Sequence, residues 1–228
     1  MSFAAARKLG ILCALAVVAC AGAQTAQAQD IPGYGSTEDY DPREMAMLPR
    51  YCGHTMLFRD KVLGGNNPEE VERWHGVFGD TFNHLHHYCR GIMKTNRAVL
   101  LSRDPQTRRA YLVDAVREFD YVLERATPDF VLLPEILTKK GEDLILLGKG
   151  PVGIIELERA ASQKPDYWPP YARMSDYYVS VGDKQKAREV LDKGLSFSPD
   201  AQALRRRVNE LGAVREAQSN SSKSKTTR

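Results

Sequence analysis

The chain has 228 residues, 32 of them Lys or Arg and 29 Asp or Glu, and 43% are hydrophobic. That length suits one domain with a sizeable core, and the near balance of charge argues against a nucleic-acid-binding body, which would show a basic face. After residue 28 no stretch approaches ~18 consecutive apolar residues, so no transmembrane helix is expected.

Residues 1–28 read as a secretory signal peptide. Arg7 and Lys8 are the only charges there, an apolar run follows from Ile11 to Ala19, and small residues lead to Ala26-Gln27-Ala28. A positive start, a short apolar run and an A-x-A end are the marks of such a leader. Export to the periplasm or outer envelope is therefore expected. Val17-Val18-Ala19-Cys20 also resembles a bacterial lipobox. Lipidation at Cys20 would anchor the chain, which is the only membrane attachment the sequence offers. Without the leader, 30 basic residues face 29 acidic ones, and positive charge collects at 201–228, with seven Lys or Arg against two Glu. Of the 4 cysteines, Cys52 and Cys89 remain. In an oxidising compartment an even pair reads first as a disulfide. It would close a loop of nearly forty residues and stabilise the fold by about 4 kcal/mol.

The segment 29–48, with Gly, Pro, Ser, Asp and Tyr and no sustained period, reads as a flexible lead-in. A helical N-terminal region comes next, over 49–133. Pro68-Glu69-Glu70 opens a short helix, since Pro and acids suit a first turn. Asp80 is the expected N-cap of the next, running to about Ser102. On it Phe82, Leu85, Cys89 and Ile92 recur at helical spacing and share a face. Pro105 starts another, with Val113, Val116, Phe119, Val122 and Leu123 as its stripe. Further helices are expected near 129–147, 151–163, 169–181, 184–197 and 200–212. The last forms a capping helix over 202–217, on which Leu204, Val208 and Leu211 face inward while Arg205, Arg206 and Arg207 lie largely in water. The tail 218–228 has nothing to bury and is expected to be disordered.

A period of 34 residues organises the second half. Pro165 and Pro199 are 34 apart, as are Gly148 and Gly182, Leu144 and Tyr178, Leu157 and Leu191, and Ala160 and Gly194. Each block reads as helix, Gly turn, helix, Pro turn. This resembles the tetratricopeptide repeat, whose period is 34 residues. The family's positions fall in 168–201 on Tyr171, Met174, Ser175, Tyr178, Ala187, Leu191, Gly194 and Pro199. In 134–167 they fall on Leu137, Lys140, Gly141, Leu144, Gly153, Leu157, Ala160 and Pro165. Lys140 departs from the apolar pattern, implying looser packing or a stem that snorkels. Small residues at Gly141 and Ser175, facing Gly153 and Ala187, let paired helices approach closely. Upstream, Ala115, Phe119 and Val122 look like the second helix of a degenerate first repeat, whose first helix is 81–102. The resemblance is specific for 134–201 and implies an all-α solenoid of helical hairpins with a C-terminal capping helix.

The resemblance also implies a groove lined by the first helices, where a segment of another protein binds. The family's variable groove positions fall on Glu135, Thr138, Glu142 and Ile145, then on Pro169, Ala172, Asp176 and Val179. Members that clamp a peptide's terminal carboxylate use Lys and Asn there. Here the set has neither, and Glu142 and Asp176 would repel a carboxylate. A polar or basic partner segment is expected, with Lys139 and Arg173 beside the set softening the argument. Tyr177 and Tyr178 on the same helix read as structural.

All 5 histidines lie between 54 and 87, flanked by Cys52 and Cys89. A zinc or copper site on His84, His86 and His87 is the alternative reading. His84 and His87, and His86 and Cys89, have helical ligand spacing, but no H-E-x-x-H, paired C-x-x-C or haem motif occurs. A disulfide would leave a metal only imidazoles. Gly64-Gly65 and Gly148-Lys149-Gly150 lack phosphate-loop spacing, and there is no G-x-S-x-G elbow. These patterns together favour a binding scaffold or assembly factor without cofactor or catalysis.

Overall fold

The computed structural model describes residues 40–212, and no strand occurs among them. The leader 1–28 with Cys20, most of the lead-in and the tail 218–228 lie outside the described residues.

The part of the lead-in that is described is docked, which corrects the expectation of a flexible segment. Helix α1, Pro42–Ala46, is capped by Asp41, whose carboxylate accepts from the Arg43 N–H at 2.8 Å. Tyr40 stacks on Phe58 at 4.7 Å. Buried Glu44 accepts two hydrogen bonds from the Arg97 guanidinium, at 2.6 and 2.7 Å. A 3-10 turn, Arg50–His54, then places Cys52, which is bonded to Cys89 as expected, their Cα atoms 5.7 Å apart.

Helix α2, Pro68–Phe78, starts where Pro68 and the acids place it, with Asn67 as its cap. It ends at Gly79, whose φ of +59° few other residues tolerate. Asp80 is not the N-cap of the next helix. It lies in a 3-10 turn, Gly79–His84, because Thr81 and Phe82 must be turned into the core. Helix α3, Leu85–Asn96, begins only after that turn and runs into a π-helical turn, Arg97–Leu101. The expected single helix to Ser102 is thus three pieces. Its apolar face is as expected: Phe82, Leu85, Cys89 and Ile92 are all buried.

Helix α4, Pro105–Leu123, is capped by Asp104. Then come α5, Leu133–Leu146, and α6, Gly150–Gln163. Helices α7, Pro169–Ser180, and α8, Lys184–Phe197, are next. A final helix, α9, spans 202–212 up to the last described residue. Helices α3 and α4, α5 and α6, and α7 and α8 pack as hairpins, and α3, α5 and α7 touch in that order.

The turn glycines of the 34-residue period are structurally equivalent. Gly148 and Gly182 have φ of +78° and +84°. The following N–H in each case reaches back to a helix carbonyl, Lys149 to Leu144 at 2.9 Å and Asp183 to Tyr178 at 2.8 Å. This is the Schellman closure that a left-handed glycine permits. The small residues act as expected between α5 and α6. A Cβ on Gly141 would sit 2.9 Å from the Gly153 carbonyl oxygen, and one on Gly153 would sit 2.7 Å from that of Gly141. Lys140 is neither loose nor merely snorkelling. Its ammonium lies 2.7 Å from both Asp120 of α4 and Glu156 of α6, tying three helices together. Burial disfavours that charge, but the two carboxylates outweigh it and raise the lysine's pKa.

Helix α9 buries Leu204. Arg207 corrects the expectation that all three arginines lie in water, since it clasps Asp176 of α7 with two nitrogens at 2.7 and 2.8 Å.

Candidate binding groove

The first helices of the three hairpins enclose a groove of about 440 Å³. Thr95 and Asn96 of α3 form one wall, continued by Val99 and Leu100 of the π-helical turn. Glu142, Asp143, Ile145 and Leu146 of α5 form the middle, and Arg173, Asp176, Tyr177 and Ser180 of α7 the far side. Leu100 and Leu146 are exposed at its mouth, at 61% and 55%. Such volume with mostly apolar walls and a few polar groups is what binding sites offer.

Three of the expected groove residues, Glu142, Ile145 and Asp176, line this groove. Thr138 and Ala172 do not belong to an open face. Both are buried, at 3% and 2%, and the Thr138 hydroxyl donates to the Pro134 carbonyl at 2.7 Å. Helices this closely packed turn part of each first helix onto its neighbour. Glu135 is half-buried and accepts from the Tyr88 hydroxyl at 2.7 Å. Val179 is exposed and Pro169 half-buried, and neither lines the groove.

The electrostatics differ from the acidic surface that the sequence suggests. Glu142 is paired with Arg173 and, at 3.3 Å, with Lys139. Asp176 is held by Arg207 at 2.7 Å and approached by Arg173 at 3.8 Å. Both carboxylates are therefore neutralised by cations of the chain itself. Arg207 comes from α9, far along the sequence, and no periodicity argument could have placed it here.

The polar group that stands out is Asp143, which beside Glu142 in the sequence looks like surface decoration. It is fully buried. One carboxyl oxygen accepts from the Thr95 hydroxyl at 2.6 Å, and the other has no protein partner. Burial, reinforced by the negative charge of Glu142, raises its pKa to about 7 against the help of Thr95 and Lys139. The sequence pattern also hides the apolar wall, because Val99-Leu100-Leu101 reads as the last turn of the helix expected to run to about Ser102. A π-helical turn instead leaves all three exposed, and such turns are frequent at functional sites.

No family model matches this chain, and neither a curated protein nor a solved structure does. The groove's chemistry therefore rests on its own residues.

The histidines do not line the groove, and the buried His86 Nδ1 has no hydrogen-bond partner. His87 Nδ1 is 2.5 Å from Glu118, and its ring stacks on Tyr121 at 3.7 Å. His84 meets the same tyrosine edge-on. His86 is buried, and burial with the neighbouring His87 lowers its pKa to about 4. His54 Nδ1 lies 2.9 Å from the Gly65 carbonyl oxygen. The disulfide removes both sulfurs as ligands. Among the described residues no group of three or more His, Cys, Asp or Glu is placed to hold a metal ion, and no helix is long and apolar enough to cross a membrane.

Glu118 gathers the charges around this cluster. Lys94 donates to it at 2.9 Å, and Arg90 lies 3.2 Å away. Burial alone would raise its pKa, but the hydrogen bonds from His87 and Lys94 and the charges of Lys94 and Arg90 outweigh it and lower it to about 2. Glu118, Lys94, Arg90 and the His87 ring form one structural network, which Asp114 joins through Lys94 at 3.2 Å.

Proposed function

We propose that this protein is an exported scaffold or assembly factor of the bacterial cell envelope, built as a tetratricopeptide-type solenoid, which holds a segment of a partner protein between its first helices. The observation that carries the reading is the groove itself. It lies where the first helices of three successive hairpins meet, and its mouth exposes Leu100 and Leu146. Exposed apolar residues gathered around one concavity mark an interaction site more often than scattered ones do. The 34-residue period, the paired left-handed glycines and the Gly141–Gly153 approach support the repeat architecture. The leader pattern at 1–28 and the Cys52–Cys89 bond support an oxidising compartment.

The test is site-specific photocrosslinking in cells that make the protein. A photoreactive residue at Leu100 samples the groove, and one at Ile155 of α6, exposed at 55%, samples a surface that does not line it. A discrete adduct from position 100 and none from 155 is expected. Equal labelling, or labelling from 155 alone, refutes the groove as the binding surface. Mass analysis of the purified chain separates cleavage after Ala28 from lipidation at Cys20, and an intact leader refutes export.

A further inference from the structure

We propose that the groove recognises a cationic side chain, Lys or Arg, carried by an otherwise apolar segment of the partner, and that Asp143 is the buried group that receives it. This rests on the groove being the binding surface.

Three observations meet at Asp143. The residue lies at the groove, between the α3 and α7 walls, with its carboxyl buried just beneath the surface. One of its oxygens has no hydrogen-bond partner in the protein, and a buried acceptor in that state is costly and calls for an explanation. The other carboxylates of the groove are already paired, Glu142 with Lys139 and Arg173, and Asp176 with Arg207. An incoming cation therefore finds one carboxyl without a counter-charge of its own. The apolar residues Leu100, Ile145 and Leu146 suit the aliphatic stem of such a side chain. Asp143 has no accessible surface in this structure. Binding therefore requires a lining side chain to change rotamer so that the free oxygen is reached, which is the ordinary scale of adjustment at interfaces.

A terminal carboxylate or an acidic side chain fits worse, because it would meet Asp143 as a like charge or require it protonated. Thr95 of α3 and Lys139 and Glu142 of its own helix act on Asp143 directly, and Asn96 of α3 and Arg173, Asp176 and Tyr177 of α7 line the same groove. Helices α4 and α6 also pack on α5, and their acids Asp120 and Glu156 hold Lys140. No histidine lines the groove. A cation binds the ionised form of Asp143, whose pKa is raised to about 7. Affinity should therefore fall as the pH drops through neutrality, by about tenfold between pH 8 and pH 6.

The experiment selects phage-displayed random dodecapeptides on the full-length protein at pH 8. The recovered peptides that lack histidine are then titrated at pH 8 and pH 6 against wild type, Asp143→Asn and Leu100→Ser, each verified as folded by circular dichroism. The expected result is peptides rich in Lys or Arg beside apolar residues. They should bind wild type about tenfold more weakly at pH 6, bind Asp143→Asn more weakly at pH 8 and without pH dependence, and lose affinity for Leu100→Ser. Peptides that need Leu100 but show no excess of Lys or Arg, or that bind Asp143→Asn as tightly as wild type, overturn the cation inference and leave the groove reading in place. So do acidic peptides that bind more tightly at pH 6. Recovery of no peptide, or of peptides indifferent to Leu100→Ser, overturns both.

Discussion

The close approach of α5 and α6 can be tested by one methyl group. In Gly153→Ala the new Cβ would lie 2.7 Å from the Gly141 carbonyl oxygen, 2.7 Å from Ile145 Cγ1 and 3.2 Å from the Ile145 nitrogen. Two of those atoms are backbone, so a rotamer change cannot relieve the contact. Overpacking of this kind costs about 1–3 kcal/mol. Alanine returns about 1 kcal/mol of helix propensity, which leaves a net loss of up to about 2 kcal/mol. Gly76→Ala in α2 is the matched control, since a Cβ there meets nothing within 4 Å. It should gain about 0.4–1 kcal/mol. Urea unfolding of both variants with the disulfide intact measures the difference, which also appears as several degrees in Tm, at about 2–4 °C per kcal/mol for a domain of this size. If Gly153→Ala proves as stable as Gly76→Ala, the glycine pair is not what lets these helices meet.

The remaining predictions concern the disulfide and two buried carboxyls. Replacing both Cys52 and Cys89 by Ser opens a loop of 37 residues and should cost about 4 kcal/mol, read by denaturant unfolding. Glu118→Gln removes the carboxylate shared by Lys94, Arg90 and His87, although Asp114 stays 3.2 Å from Lys94, and should cost about 3 kcal/mol at neutral pH. The folded pKa of Glu118 is depressed from 4.5 to about 2, so its contribution is full above about pH 4.5 and lost as pH falls toward 2. The gap between variant and wild type should therefore close over that window, and a gap independent of pH would refute the network. Asp143 has the opposite sign, raised from 3.8 to about 7. Its penalty is absent below about pH 3.8, grows as pH rises and is complete above about 7. Asp143→Asn should thus be more stable than wild type at pH 8, by up to about 4 kcal/mol, and should lose that advantage by pH 3.5. Equal stabilities at pH 8 would mean that the carboxyl is not disfavoured where it stands.

Spacing is what makes part of this fold legible in the sequence. Periodic apolar residues place the helices, because a helix buries one face at a fixed interval. The 34-residue offset places the turn glycines, because both turns need a left-handed residue. The errors lie where a contact distant in sequence decides. Asp80 looks like a cap, but the burial of Thr81 and Phe82 turns the chain there into a 3-10 path. The segment from Tyr40 to Leu48 has no period of its own and is ordered by Phe58 and Arg97. For the same reason only three of the eight expected groove positions, Glu142, Ile145 and Asp176, line this groove. The resemblance implies which positions of a first helix face a groove, but not that Thr138 and Ala172 are buried in the packing. Nor does it tell that Glu142 and Asp176 are already held by arginines.

Asp143 and Glu118 are both buried carboxyls on helices of this fold, and their surroundings assign them different roles. Glu118 has His87, Lys94 and Arg90 about it, and its ionised form is favoured despite burial. That is how a fold keeps a charge it uses for its own cohesion. Asp143 has one hydroxyl and one unpartnered oxygen, and its ionised form is disfavoured. A group that weakens the fold at neutral pH while a neutral isostere would not is better explained by what it does for a ligand than by what it does for the chain. The groove beside it gives that ligand room. The selectivity that the tetratricopeptide resemblance implies at Glu142 is thus placed by our proposal one residue along, at Asp143, as an attraction for a cation rather than a repulsion of carboxylates.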